Sequence, residues 1–81
     1  MPTSKVTVTS AWQQIATTSQ NFILDNTSSY DVFVTFQNSV PDANTAYHIL
    51  DSGEGIIRMG VVGDLYVRVD GDQTAVVILS V

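Results

Sequence analysis

Few side chains in this sequence can do chemistry. His48 is the single histidine and cysteine is absent, which removes a Cys–His pair, a two-histidine metal face and the thiolate zinc sites. A serine triad would need His48 beside an aspartate and a nucleophile, and no Gly-x-Ser-x-Gly elbow occurs. Between Tyr47 and Ile49, His48 reads as an outward polar residue of a strand, and the chain as no enzyme. Acidic oxygens gather twice, in Asp70-Gly71-Asp72 with Asp64 and in Asp51-Ser52-Gly53-Glu54. A hard cation wants several such oxygens, but the remaining ligands of a calcium loop are missing and Asp-Gly is an ordinary tight-turn pair. Both stretches are expected to be turns, with no metal and no cofactor. Asn26-Thr27-Ser28 has the form of a glycosylation sequon, unaccompanied by an export signal.

The seven aromatic residues Trp12, Phe22, Tyr30, Phe33, Phe36, Tyr47 and Tyr66 are the other chemical resource. Some of them could form a flat platform for sugar rings, with the Asn- and Asp-rich loops supplying partners for hydroxyls. In a chain of 81 residues most must instead fill the core. Eight acidic residues against Lys5, Arg58 and Arg68 give a net charge of −5, which repels a phosphate backbone or an anionic membrane surface. No nucleic acid and no membrane is therefore expected as a partner. The opening Met1-Pro2-Thr3-Ser4-Lys5 lacks the apolar centre of a signal peptide, so synthesis in the cytoplasm is expected.

The elements that must carry these residues are short strands. Charged residues make up 14% of the chain while Ser, Thr, Asn and Gln abound, a composition poor in helix formers. Lys5 to Thr9 alternates and reads as an edge strand, or as part of an extended arm over residues 1–10. Trp12 to Ala16 has apolar spacing that predicts a short helical or irregular turn after Ser10, with Trp12 packed over a sheet edge as the alternative. Asn21 to Leu24 predicts a central strand, Asp25 to Ser29 a turn, and Tyr30, Val32, Val34 and Phe36 one inward face with Asp31 and Thr35 facing water or a partner. Phe33 is then exposed unless something covers it. The strands on either side of Asp25 to Ser29 form a candidate hairpin. Asn38 to Ala46 is the longest loop, and Tyr47 to Leu50 and Gly55 to Met59 are strands. Gly60 to Asp64 leads into a terminal hairpin closed by Asp70-Gly71, its first arm alternating with Leu65, Val67 and Val69 on one face and Tyr66, Arg68 and Asp70 on the other. Seven or eight strands at spacings near ten residues predict one all-β domain over residues 1–81, a small antiparallel β-sandwich or barrel of jelly-roll-like form.

The last strand has no polar side. Val77, Leu79 and Val81 fall on one face and Val76 and Ile78 on the other, so if one set fills the core the other must meet a neighbour or water. A chain this short, without disulfides, often completes its burial by oligomerisation. Ile78 and Val76, with Tyr66 from the adjoining arm, are therefore the expected subunit interface of a homo-oligomer, with a trimer expected.

Three segments together resemble the small β-sandwich structural proteins of tailed phages: Trp12-Gln13-Gln14-Ile15-Ala16 followed by Asn21-Phe22-Ile23-Leu24-Asp25-Asn26, then Val32-Phe33-Val34-Thr35-Phe36 with Ser39 and Pro41, then Gly63-Asp64-Leu65-Tyr66-Val67-Arg68. The resemblance spans most of the chain and rests on strand and turn positions, so it transfers no functional residue. It implies a virion protein, either a head decoration (cement) protein or the capsid-bound base of a fibre, usually a homotrimer, whose partners are itself and a capsid or tail protein. A carbohydrate- or receptor-binding module and a small protein inhibitor are the readings from other classes.

Overall fold

The computed structural model describes residues 3–17, 21–58 and 63–81. Eight strands run through them: β1 (Thr3–Val8), β2 (Gln13–Ala16), β3 (Phe22–Asn26), β4 (Val32–Gln37), β5 (His48–Leu50), β6 (Gly55–Arg58), β7 (Asp64–Arg68) and β8 (Ala75–Ser80), with no helix among the described residues. They form two four-stranded antiparallel sheets, one ordered β1-β8-β3-β6 and the other β2-β7-β4-β5. The pairings are nested: β1 with β8, β2 with β7, β3 with β6 and β4 with β5, while β8 also pairs β3 and β7 also pairs β4. This is a long double-stranded ribbon rolled on itself, the winding of a jelly roll. We call the sheet holding β8 the A sheet and the sheet holding β7 the B sheet.

Alternation decides which side chains enter the layer between the sheets. Val8 from β1, Phe22 and Leu24 from β3, Val32 and Val34 from β4, Leu65 and Val67 from β7, and Val77 and Leu79 from β8 are all buried there, each at every second position of its strand. Full burial of such a side chain stabilises by about 1.5–3 kcal/mol, so a one-residue slip in any strand would remove several of these contributions together. The face assignments expected for β4, β7 and β8 agree with this core.

The pairing of neighbouring strands does not. β7 and β8 lie in different sheets, as do β3 and β4, so neither the terminal hairpin nor the hairpin around residues 25–29 forms. Gly71 does have a positive φ of 61°, but its turn carries the chain from one layer to the other. Among the described residues, only β4 and β5, joined by the loop 38–47, are consecutive strands within one sheet. Turn residues such as Asp-Gly announce that the chain reverses; they do not say whether it returns beside itself or above itself.

Three local expectations are also corrected. Residues 13–16 are a strand and no helical turn, with a register shift between Gln14 and Ala16. Ile15 packs against the core and Ala16 lies within it, and a bulge is what lets adjacent residues share a face, which in sequence mimics helical spacing. Tyr30 stands outside β4 and is 42% exposed. Thr35 is buried although it points away from the core, in register with the equally buried Tyr66 of β7. Met59 and residues 60–62 of the expected glycine-bracketed tip lie outside the described residues.

Two corners fix how the layers meet. Asn26, at the inward end of β3 and only 1% exposed, donates from Nδ2 to the carbonyls of Tyr30 (2.7 Å) and Leu50 (3.0 Å). Its Oδ1 accepts from the Ser28 amide (3.1 Å) and the Ser28 hydroxyl (2.6 Å). One side chain thus ties β3, the crossing turn and the end of β5 together. Gly63, entering β7 with φ 95°, passes so close to β4 that a Cβ would lie 2.8 Å from the Gln37 amide nitrogen. Glycine is needed there for both its conformation and its missing side chain.

Candidate interaction surface

The outer side of the B sheet assembles a cluster from four separate segments. Phe33 on β4 is in register with Arg68 on β7 and with Ile49 on β5, which puts the three side chains in one cross-strand row. Trp12, just before β2, and Tyr47, just before β5, close over this row. The Arg68 guanidinium carbon lies 4.9 Å from the centre of the Phe33 ring, 5.2 Å from Trp12 and 5.7 Å from Tyr47. Phe33 and Tyr47 stack at 4.4 Å, and Trp12 and Tyr47 meet at 6.2 Å with a 59° tilt. A guanidinium within about 6 Å of an aromatic ring gains about 0.5–1 kcal/mol where exposed and more where dry. The rings hold a long, otherwise mobile side chain in place without neutralising its charge.

The loop 38–47 folds back onto this side of the molecule. Pro41 is buried, and with Asp42, Ala43, Ser10, Ala11, Trp12 and Arg68 it lines an open groove of about 290 Å³. The loop keeps its shape through an Asx turn, in which Asp42 Oδ1 accepts from the Asn44 amide at 2.8 Å. Tyr66, in register with Gln14 and Thr35, is on the same outer side and only 5% exposed.

The outer side of the A sheet is of another kind. Val76 and Ile78 stand next to each other on β8, Val76 41% exposed and Ile78 half-buried, and Ile23 on β3 and Ile57 on β6 continue the aliphatic surface in register with each other. The three residues expected to form one interface therefore divide. Val76 and Ile78 are together, while Tyr66 is buried on the far layer, because the hairpin that would have joined it to them does not exist.

The remaining candidates stay apart. His48 pairs with the inward Val34, so it lies on the core side of the edge strand β5 and not on its outer side as expected, yet it is exposed there. Asp70 Oδ1 accepts from the Gly71 amide at 3.0 Å, and no group of three acidic or histidine side chains able to hold a metal occurs among the described residues. In the turn between β5 and β6, Glu54 Oε1 accepts from the Asp51 amide at 2.8 Å. A hydrogen bond to Glu54 and the repulsion of its charge push the exposed Asp51 carboxyl above the usual aspartate value. Asn26 of the sequon has both Nδ2 hydrogens engaged in the interior. Of the seven aromatics, Phe22 fills the core and meets Phe36 at 6.0 Å; Trp12, Phe33 and Tyr47 converge on Arg68. Sequence alternation marks Phe33 and Arg68 as outward, but their meeting depends on the β4–β7 register, which no sequence signal fixes. Comparison with known protein families, curated proteins and solved structures finds no match.

Proposed function

We propose that the chain is a structural protein of a virion, a head decoration (cement) protein of a tailed phage, that docks on a capsid or tail protein through the outer side of its B sheet. The virion setting rests on the resemblance of the three segments quoted above. The docking surface rests on one observation, the Arg68 guanidinium held among Trp12, Phe33 and Tyr47. Trp, Tyr and Arg are the residues that dominate the energy of protein interfaces, and here they are preorganised by one another, so little side-chain freedom remains to be lost on binding. The positive head of Arg68 suits an acidic or carbonyl-rich partner surface. A sugar platform needs a free ring face, and on this surface Phe33 is already stacked by Tyr47 and Arg68 lies close to all three rings, which favours a protein partner over a glycan.

The test is to locate the chain in purified particles of the virus that encodes it, by mass spectrometry and imaging, and to repeat this with Trp12→Ala and Arg68→Ala. We expect the chain at regular sites on the particle surface and an occupancy at least tenfold lower for each variant. Particles without the chain would refute the virion assignment. Undiminished occupancy of both variants would refute the surface, and glycan-array binding lost with Trp12→Ala would replace a protein partner by a sugar.

A further inference from the structure

The outer side of the A sheet carries a charge pattern that complements itself. Ile78, at the middle of β8, is in register with Lys5 on one side and with Asp25 on the other. Neighbouring strands are about 4.8 Å apart, so a cation and a carboxylate flank the central apolar residue at about 5 Å each, some 10 Å from one another. All three alternate outward, away from the inward residues of their strands, which are the partly buried Val6 and buried Val8 of β1, Leu24 and Asn26 of β3, and Val77 and Leu79 of β8. The carboxylate is seated on the face, because Gly55 lies opposite Asp25 in β6 and any Cβ there would collide with Asp25 Oδ1. Val76 extends the apolar centre along β8, opposite Thr7 of β1.

From this arrangement we infer that the A-sheet face is an isologous interface whose occupant is a second copy of the same chain, related by a two-fold axis running along β8. A two-fold in the interface plane and parallel to the strands exchanges the two sides of β8. Lys5 of each copy then lies over Asp25 of the other, twice, while Val76 and Ile78 meet their own counterparts on the axis. A two-fold running across the strands would instead set Lys5 over Lys5 and Asp25 over Asp25, which repel. The charges thus choose between the two ways of stacking the face on itself. Two sheets related this way pack aligned, about 10 Å apart. The molecule measures 31 × 26 × 16 Å, and a broad face of that size suffices for the roughly 800 Å² per partner of an ordinary specific interface. A trimer would require two different patches meeting in rotation, whereas this face is complementary to itself. The inference is independent of what the B-sheet side binds.

The experiment is sedimentation equilibrium of the full chain over a concentration series, on the native sequence and on surface variants whose folding is checked by melting. The native chain is expected to be a dimer at roughly 50 μM, a concentration that populates a micromolar complex. Lys5→Asp alone and Asp25→Lys alone should each raise the dissociation constant about tenfold or more, and the two together should restore it to within about threefold. Val76→Ser with Ile78→Ser should yield a monomer. A native monomer or trimer would overturn the inference. So would a dimer indifferent to the aliphatic pair, and a dimer that the single charge changes weaken but the double change does not rescue would overturn the axis along β8.

Discussion

At the scale of single residues, the position with most at stake is a polar one. Asn26 continues the inward series Phe22, Leu24, Asn26 of β3, so period-two alternation already marks it as internal, but its type and its Thr-Ser neighbours make it read as part of a turn. Both readings are realised: the backbone is strand and the side chain organises the turn. Its Nδ2 group faces two carbonyls and its Oδ1 two Ser28 donors, and a buried group that loses such a partner forfeits about 1–3 kcal/mol. Asn26→Ala is therefore expected to cost about 3 kcal/mol or more in urea unfolding. Asn26→Asp should cost at least as much, since it turns an oxygen toward the carbonyls of Tyr30 and Leu50 and buries a charge. A loss below about 0.5 kcal/mol for either would mean that the corner is held by something else. The same geometry makes the sequon structural, because a glycan on Nδ2 would break the bonds that seat it.

At the scale of elements, strands were legible and their partners were not. Alternation names the inward residues of β4, β7 and β8 from chemistry alone, since a strand with one apolar face has one way to lie on a core. Short β2 carries a helix-like apolar spacing because its register shift puts Ile15 and Ala16 side by side. The turn between β5 and β6 was legible as a turn, and its acidic pair gives it a pH dependence. The folded state raises the Asp51 carboxyl through its hydrogen bond to Glu54 and the repulsion between the two groups. Folded chains therefore hold the Asp51 proton more tightly than unfolded ones, and this contribution to stability is full at pH values below the ordinary aspartate value. It is lost as pH rises from there through the raised folded value, and is absent at neutral pH. Asp51→Asn should accordingly be more stable than the native chain at pH 7, and should flatten that part of the pH profile, as thermal melts between pH 3 and pH 7 would register. A variant less stable at pH 7 would show that the carboxylate itself is needed by the turn.

At the scale of the whole molecule, the nested pairing explains both why the sheet order was hidden from the sequence and how the chain can find it. Of the seven connections between the described strands only one joins neighbours within a sheet, so local turn signals carry almost no information about pairing, and the Arg68 cluster, built from four distant segments, inherits that obscurity. Yet each outer pair becomes a short closure once the pair inside it has formed. β4 and β5 are joined by the loop 38–47, after which the turns at residues 27–31 and 51–54 bring β3 beside β6, and so on outward to β1 and β8. Direct closure of β1 on β8 would have to restrain nearly the whole chain at once, at a higher entropic cost. Folding is therefore expected to run from the middle of the sequence to its ends on a millisecond-to-second scale. Val32→Ala in β4 should slow folding, with a φ-value above about 0.5. Val8→Ala in β1 should act on unfolding alone, with a φ-value below about 0.3, although both side chains are fully buried and each truncation should cost more than 1 kcal/mol. Stopped-flow refolding and unfolding in urea would measure both, and a high value at Val8 with a low one at Val32 would mean that the roll closes from its ends.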